Sequence, residues 1–457
     1  MNLSILKKFL APIWGVLPPG LKYGKQYRKK FLLLKKTQYW SSEQLENYHD
    51  KKLRNLLEYA YKYVPYYKEL FDTIKYNPGS SDWKDEFYKI PFLSKEAITE
   101  NMHKLVSNEY DEKLLSVQTT GGTTGKQLEF KMLKGSYAAT EFPFVDIIWS
   151  RVGYKRQKSR VAVLRNDIIP QDKIYVFDHK SRTYNFDTFR LTDMNIKLVL
   201  DAFITLKIEF LHTYPSVAVQ LCEYIKKNNM TYTSYLKAVL ATSENIYPGQ
   251  RELIESTLNC RLFSFYGHSE LCCIAGECEK STFYHIQSEY GYFELIDDEG
   301  HVINEPNKRG EIVCTGFNNK VMPFIRYRTG DYASYVEQQF CECGRHYRLI
   351  NNVEGRWTQE QFIGKDGNKI SMTAVNMHSE IFNHVSNYQF EQNEKGKCIL
   401  RIVKNDKYTN RDEQIIYDEL MKKFNSSIEI IFEYVDNIVR TGRGKQRFII
   451  QNINELD

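Results

Sequence analysis

Between Leu45 and Leu57 apolar side chains recur at helical spacing: Leu45, Tyr48, Leu53, Leu56 and Leu57 stand among charged positions. That period predicts a helix over residues 43–64, with Ser42 offered as its N-cap and Val64-Pro65-Tyr66-Tyr67 as its stop. Ser94, followed by Glu96 and Ala97, marks a second capped helix start. Further on the pattern shortens. Leu128-Glu129-Phe130-Lys131-Met132 reads as a strand, and Val161-Ala162-Val163-Leu164 and Ala238-Val239-Leu240-Ala241 are apolar runs suited to burial on both faces. Residues 215–227 predict a helix between them, another helix starts from Pro248, and Arg261-Leu262-Phe263-Ser264 is again strand-like. Strands alternating with helices predict an α/β architecture with a largely parallel sheet. Near the C-terminus, Ile399–Val403 and Ile428–Phe432 alternate as strands around a helix at residues 411–424, which predicts a small α+β unit.

The 457 residues exceed one typical core, so two or more domains are expected. A hydrophobic content of 42%, with 14% aromatic, excludes wholesale disorder. A net charge of +6 is modest for this length and gives no reason to expect a nucleic-acid partner. No run approaches the roughly 20 apolar residues that span a bilayer, and no cleavable signal pattern is visible. Nine cysteines without such a signal point to a reducing, cytoplasmic setting. Residues 1–42 are the exception in charge, because they are rich in lysine and the first acidic residue is Glu43. This basic leader either packs on the body as a helix with a solvated face or makes peripheral contact with an anionic membrane.

Candidate chemistry gathers in ordered clusters. Thr119-Thr120-Gly121-Gly122-Thr123-Thr124-Gly125-Lys126 combines hydroxyl donors, glycines that let backbone N–H groups approach an anion, and a lysine charge. It suits a phosphate cradle, and the alternative is a turn between strands. It is not a Walker loop, since Gln127 follows the lysine. Thr242, Ser243 and Glu244 stand at a strand end, where α/β proteins place their sites. Phe265-Tyr266-Gly267-His268-Ser269-Glu270 offers an aromatic face, a glycine and a carboxylate, able to stack a base and hold a metal. Asp331 closes Pro323-Phe324-Ile325-Arg326-Tyr327-Arg328-Thr329-Gly330-Asp331 and suits paired hydroxyls such as a ribose diol. Gly355-Arg356 follows, and Lys445 sits in a glycine-flanked basic stretch.

In this order the clusters resemble the adenylate-forming superfamily, and within it the phenylacetate–CoA ligase-like proteins, including the subgroup assigned to capsular polysaccharide biosynthesis. The resemblance runs from about Trp40 to the C-terminus, and Val64-Pro65-Tyr66-Tyr67 and Tyr214-Pro215-Ser216 also match that branch. It implies a large multi-layer adenylation domain over residues 43–354 and a small mobile lid over residues 355–457. It implies an enzyme that uses ATP and Mg²⁺ to convert a carboxylic acid into an acyl-AMP. Thr120, Gly122, Thr123, Thr124, Gly125 and Lys126 would cradle phosphates. Tyr266 and Gly267 would meet adenine, Glu270 would bind Mg²⁺, Asp331 and Arg356 would hold the ribose, and Lys445 would act on the reacting carboxylate. Ser243 and Glu244 complete the expected nucleotide-side residues.

No coenzyme A signature is visible, so the acceptor stays open between a CoA-like thiol and an amine. The acid, too, is open: a small molecule, aromatic or sugar-derived, or a glycan-linked precursor of a surface polysaccharide. A non-catalytic nucleotide-binding relative is a further alternative. After Arg356 the chain reads Trp357-Thr358-Gln359 where the family usually places an acidic hinge residue. Cys278, His285, Cys341 and Cys343 form a donor set that suits tetrahedral Zn²⁺, although the spacing matches no standard finger. Some family members carry a similar set, so a structural zinc and a scatter of reduced cysteines both stay open.

Overall fold

The computed structural model describes residues 12, 14–119, 128–165, 167–246, 249–351, 353, 361–371, 375, 380–382, 384–439 and 449–453. The first expected helix spans Ser42–Tyr63 and buries Leu45, Leu53, Leu56 and Leu57. Its cap is Ser41, one residue earlier than expected. The Ser41 hydroxyl accepts from the Gln44 amide and the Gln44 side chain returns the bond, a reciprocal capping box. Pro65 ends this helix and opens the next, Pro65–Ile74, where its missing N–H costs nothing.

Strands β1 (Leu115–Thr119) and β2 (Glu129–Leu133) pair antiparallel, with Thr119 opposite Glu129. Six strands follow: β3 (Val161–Arg165), β4 (Tyr175–Asp178), β5 (Thr183–Asp187), β6 (Phe210–Thr213), β7 (Ala238–Ala241) and β8 (Arg261–Gly267). Next come β9 (Ile274–Gly276), β10 (Tyr284–Ile286), β11 (Gly291–Ile296), β12 (Val302–Ile303), β13 (Gly310–Gly316), β14 (Tyr327–Ala333) and β15 (Leu349–Ile350). A nine-stranded sheet runs in the order β15-β10-β9-β8-β7-β6-β3-β5-β4. Its centre, β5-β3-β6-β7-β8, is parallel, as the apolar runs foretold. Its flanks are antiparallel. Every residue of β7 is buried, and the helix Pro215–Lys227 fits the expected span to the residue. A second, antiparallel sheet has the order β12-β11-β13-β14.

The leader packs on the body where it is described. Helix Gly24–Thr37 buries Tyr27 and Leu34, the Tyr27 hydroxyl donates to Asp146, and Lys30 Nζ donates to Asn318 at 2.6 Å. Among the described residues no helix is long and apolar enough to cross a membrane.

The C-terminal unit holds the hairpin β16 (Gln361–Ile363) and β17 (Lys369–Ser371). It adds β18 (Val385–Glu394), β19 (Lys397–Lys404), β20 (Glu429–Tyr434) and β21 (Ile449–Gln451) in the order β20-β19-β18-β21. Helix Asn410–Phe424 covers this sheet with Ile416, Leu420 and Phe424 fully buried. The unit shares a buried apolar cluster with the large sheet, and Gln220 Nε2 donates to the Lys369 carbonyl at 2.6 Å.

Candidate functional site

The parallel strands aim their carboxyl ends at one region, and the residues there are polar. β3 ends in Arg165, β6 leads to Tyr214, β7 leads to Thr242 and Ser243, and β8 ends in Tyr266 and Gly267. Arg165 donates from Nη2 to Ser243 Oγ at 2.9 Å and from Nη1 to His212 Nε2 at 3.3 Å, and its guanidinium lies over the Tyr214 ring. His212 is held neutral: burial lowers its pKa well below the usual imidazole range, and the charge of Arg165 adds to this. Ser243 adopts φ of +68° to make its turn. The Glu244 carboxylate accepts from the Ser216 amide at 3.2 Å and so caps the helix Pro215–Lys227.

At the end of β8 the second sheet closes in. The Tyr266 hydroxyl donates to Asp331 Oδ2 at 2.9 Å, so the adenine and ribose candidates meet directly. Asp331 comes from β14, where Gly330 takes φ of +74° and the Asp331 amide donates to Thr329 Oγ1. Glu270 is 8% exposed and fully engaged: Oε1 accepts from the Tyr327 hydroxyl at 2.8 Å, and Oε2 meets His268 Nδ1 at 3.1 Å. Burial pushes this carboxyl up, but the His268 charge and the hydrogen bonds overcome it and hold it at about 2. His268 moves the opposite way: burial lowers its pKa, while Cys273 and Glu270 raise it well above the usual range. A carboxylate held ionised in this way is suited to a divalent cation.

Arg326 is the residue whose role the sequence hid. It adopts φ of +51°, forks onto Glu294, and donates to the carbonyls of Tyr88 and Ile90. It therefore braces the site and does not line it. Arg165 and His212 were also missed. The available signal was a charge closing an apolar parallel strand.

Of the expected nucleotide residues, the structure brings Tyr266, Gly267, Glu270 and Asp331 together and puts Ser243 and Glu244 at the end of β7. Thr120, Gly122, Thr123, Thr124, Gly125, Lys126, Arg356 and Lys445 lie outside the described residues, as does the expected boundary at residues 354–355.

The four metal candidates converge. Cys278 follows β9, His285 lies in β10, and Cys341 and Cys343 precede β15. Their ligand atoms all lie within 4.8 Å of one another; Cys278 Sγ is 3.5 Å from Cys341 Sγ, and Cys343 Sγ is 3.3 Å from His285 Nε2. His285 Nδ1 faces the Phe283 carbonyl at 3.2 Å, which leaves Nε2 to the thiols. The amides of Lys280 and Ser281 point at Cys278 Sγ. Such a donor set fits a four-coordinate soft cation.

Residues 362–452 match the family described as CapK C-terminal domain. Protein CapK of Staphylococcus aureus is 25% identical over 460 residues, covering 98% of this chain and 97% of its own. Phenylacetate-coenzyme A ligases of Thermus thermophilus (23% identical, 69% of this chain and 71% of theirs) and Escherichia coli (22%, 78% and 81%) also match. A crystal structure of 2-hydroxyisobutyryl-CoA ligase, in complex with 2-HIB-AMP and CoA, superposes with a TM-score of 0.60 at 17% identity, covering 91% of each chain. By sequence and fold the chain is similar to the phenylacetate–CoA ligase-like proteins of the adenylate-forming superfamily, with CapK among its full-length relatives.

Proposed function

We propose that the protein is an ATP-dependent, AMP-forming ligase that activates a carboxylic acid and passes the acyl group to a thiol of the coenzyme A type. The observation that supports the reading is the Tyr266–Asp331 hydrogen bond beside the ionised Glu270, where two sheets meet. In this reading Tyr266 offers its ring to adenine and Asp331 accepts from the ribose hydroxyls. Glu270 would hold Mg²⁺, which supplies charge neutralisation to the phosphates. Residues 120–126 would cradle those phosphates, Arg356 would help to hold the ribose, and Lys445 would steady the carboxylate as it attacks the α-phosphorus. Aligning two anions and neutralising them is most of the catalytic task.

The acid would enter beside Arg165. Arg165 Nε and the Trp149 indole N–H are both buried without a hydrogen-bond partner among the described residues, and both side chains flank His212. Unpartnered donors favour an acid that carries further oxygen functions, such as a hydroxy or sugar acid, over a plain aryl acid. A second reading, motivated by the capsule association of CapK, is a ligase that acts on a surface-polysaccharide precursor and takes an amine as acceptor. Cys278, His285, Cys341 and Cys343 would bind a structural Zn²⁺ that pins the segment before β15.

ATP–pyrophosphate exchange against pooled hydroxy, uronic, aryl and fatty acids tests the main reading, with wild type beside Lys445→Ala. Exchange that depends on one pool and collapses in the variant supports it. A protein that binds ATP but exchanges with no pool, glycan-linked acids included, overturns it. Once an acid is found, CoA thioester formation separates the thiol reading from the amine reading.

A further inference from the structure

A second cluster of metal-binding side chains lies behind the Tyr266–Glu270 turn, apart from the four-residue set at Cys278. His268, Cys273 and Cys314 bring one imidazole nitrogen and two sulfurs within 4.8 Å of one another. His268 Nε2 is 3.4 Å from Cys273 Sγ, and the Cys273 and Cys314 thiols share a hydrogen bond. A tetrahedral ion with metal–sulfur bonds of about 2.3 Å and metal–nitrogen bonds of about 2.0 Å needs ligand atoms about 3.5–3.8 Å apart. The cluster meets that requirement with little movement.

The surroundings have the form expected of a ligating histidine. His268 Nδ1 is engaged by Glu270 Oε2 at 3.1 Å, and Glu270 is itself fixed by the Tyr327 hydroxyl. The carboxylate keeps the proton on Nδ1, and a cation that displaces the proton from Nε2 would meet that nitrogen's lone pair beside the thiols. Cys273 is 2% exposed and Cys314 is fully buried. The His268 side chain keeps 13% exposure, enough for an exogenous fourth ligand. The frame is tight: a Cβ on Gly291 would meet the Cys272 carbonyl at 1.9 Å, and one on Gly316 would meet the Leu271 carbonyl at 2.9 Å. Two glycines thus let the segment before β9 press against β11 and β13, which places Cys273 beside Cys314 on the neighbouring sheet.

We propose that His268, Cys273 and Cys314 form a site for one thiophilic d¹⁰ cation of the zinc class, with Glu270 as its outer-sphere partner. The ion would clamp the β8–β9 turn to β13 directly behind Tyr266, Glu270 and Asp331. Two thiolates balance its charge, so occupancy adds no net charge to the buried site. The proposal needs neither the ligase reading nor zinc at Cys278.

The test is titration of the full-length protein with Cd²⁺, followed by the thiolate-to-metal charge-transfer band, and with Co²⁺, followed by its visible d–d spectrum. Cys273→Ala and Cys314→Ala, each close to the volume of the thiol they replace, should each remove the same single equivalent of Cd²⁺. The double variant should remove no more than either single one. His268→Leu should remove it too, whereas His268→Cys, which restores a ligand, should keep a band of altered Co²⁺ spectrum. Cys341→Ser should affect a different equivalent or none. Unchanged stoichiometry in Cys273→Ala and Cys314→Ala, with circular dichroism matching wild type, overturns the proposal. So does retention of the band in His268→Leu.

Discussion

Arg326 offers the sharpest test of how the site is built. Its side chain is 4% exposed and makes four hydrogen bonds: two to Glu294 at 3.0 and 3.2 Å, and two to the carbonyls of Tyr88 and Ile90 at 2.9 and 2.8 Å. The guanidinium also lies 4.3 Å from the centre of the Phe92 ring. Arg326→Met removes the cation and leaves the Glu294 carboxylate, equally buried, without its partner. Removing one member of a buried pair costs about 3–5 kcal/mol, because the remaining charge is uncompensated. Glu294→Leu should cost a similar amount for the mirrored reason. The double variant leaves no orphan charge, so its loss should fall short of the summed single losses by on the order of 2–3 kcal/mol. Urea unfolding followed by fluorescence and circular dichroism gives all three values. Calorimetry on folded Arg326→Met should still detect ATP binding. Unfolding free energies unchanged in Arg326→Met, together with lost ATP binding, would show that Arg326 contacts nucleotide and that the brace reading is wrong.

Three further outcomes are expected. Burial raises the Glu141 carboxyl to about 7, against the hydrogen bond from Tyr290 at 2.6 Å. The folded state then holds a proton that the unfolded state has released, so stability falls as pH rises from about 4.5 to about 7. Glu141→Gln should abolish that fall and gain up to about 3 kcal/mol at pH 8, read from urea curves at several pH values; an identical slope in the variant refutes it. Tyr266→Phe keeps the ring but removes the hydroxyl that donates to Asp331 Oδ2; a hydrogen bond to a charged group contributes about 1.5–3 kcal/mol, so ATP binding read by calorimetry should weaken at least about tenfold. Arg165→Met should raise the KM for the activated acid at least about tenfold and leave the KM for ATP within about twofold, consistent with an unpaired buried polar group; equal shifts in both would place Arg165 elsewhere.

Local order was legible where local chemistry dominates. Pro65 stops one helix and starts another because proline lacks an N–H, and that rule needs no tertiary context. The apolar run Ala238–Ala241 became a central parallel strand because only such a strand is covered on both faces. The cap slipped from Ser42 to Ser41 because the deciding partner was Gln44, whose side chain closes the box only from position three. What stayed hidden depends on contacts distant in sequence. Tyr266 and Asp331 are 65 residues apart, and nothing in either motif says that they share a hydrogen bond. Arg326 looked like part of a binding motif because sequence shows its charge and not the carboxylate and carbonyls that consume it.

The stretch from Ile325 to Asp331 shows why such a motif resists reduction to a list of ligands. Successive side chains leave β14 and the turn before it toward different parts of the molecule. Arg326 reaches the Tyr88–Ile90 segment and Glu294, Tyr327 reaches Glu270, and Thr329 donates to the Ile312 carbonyl. Asp331 receives the Tyr266 hydroxyl, and the Gly330 amide donates to Glu311. One short segment therefore sets the distance between the large sheet, the second sheet and the N-terminal helices. Glu270 and Asp331 are each fixed by a tyrosine hydroxyl from the opposite sheet. At the same junction Cys314 on β13 meets Cys273 before β9. Any change that lets the two sheets slide should thus loosen the Tyr266–Asp331 pair and the thiol cluster together, even where it touches neither.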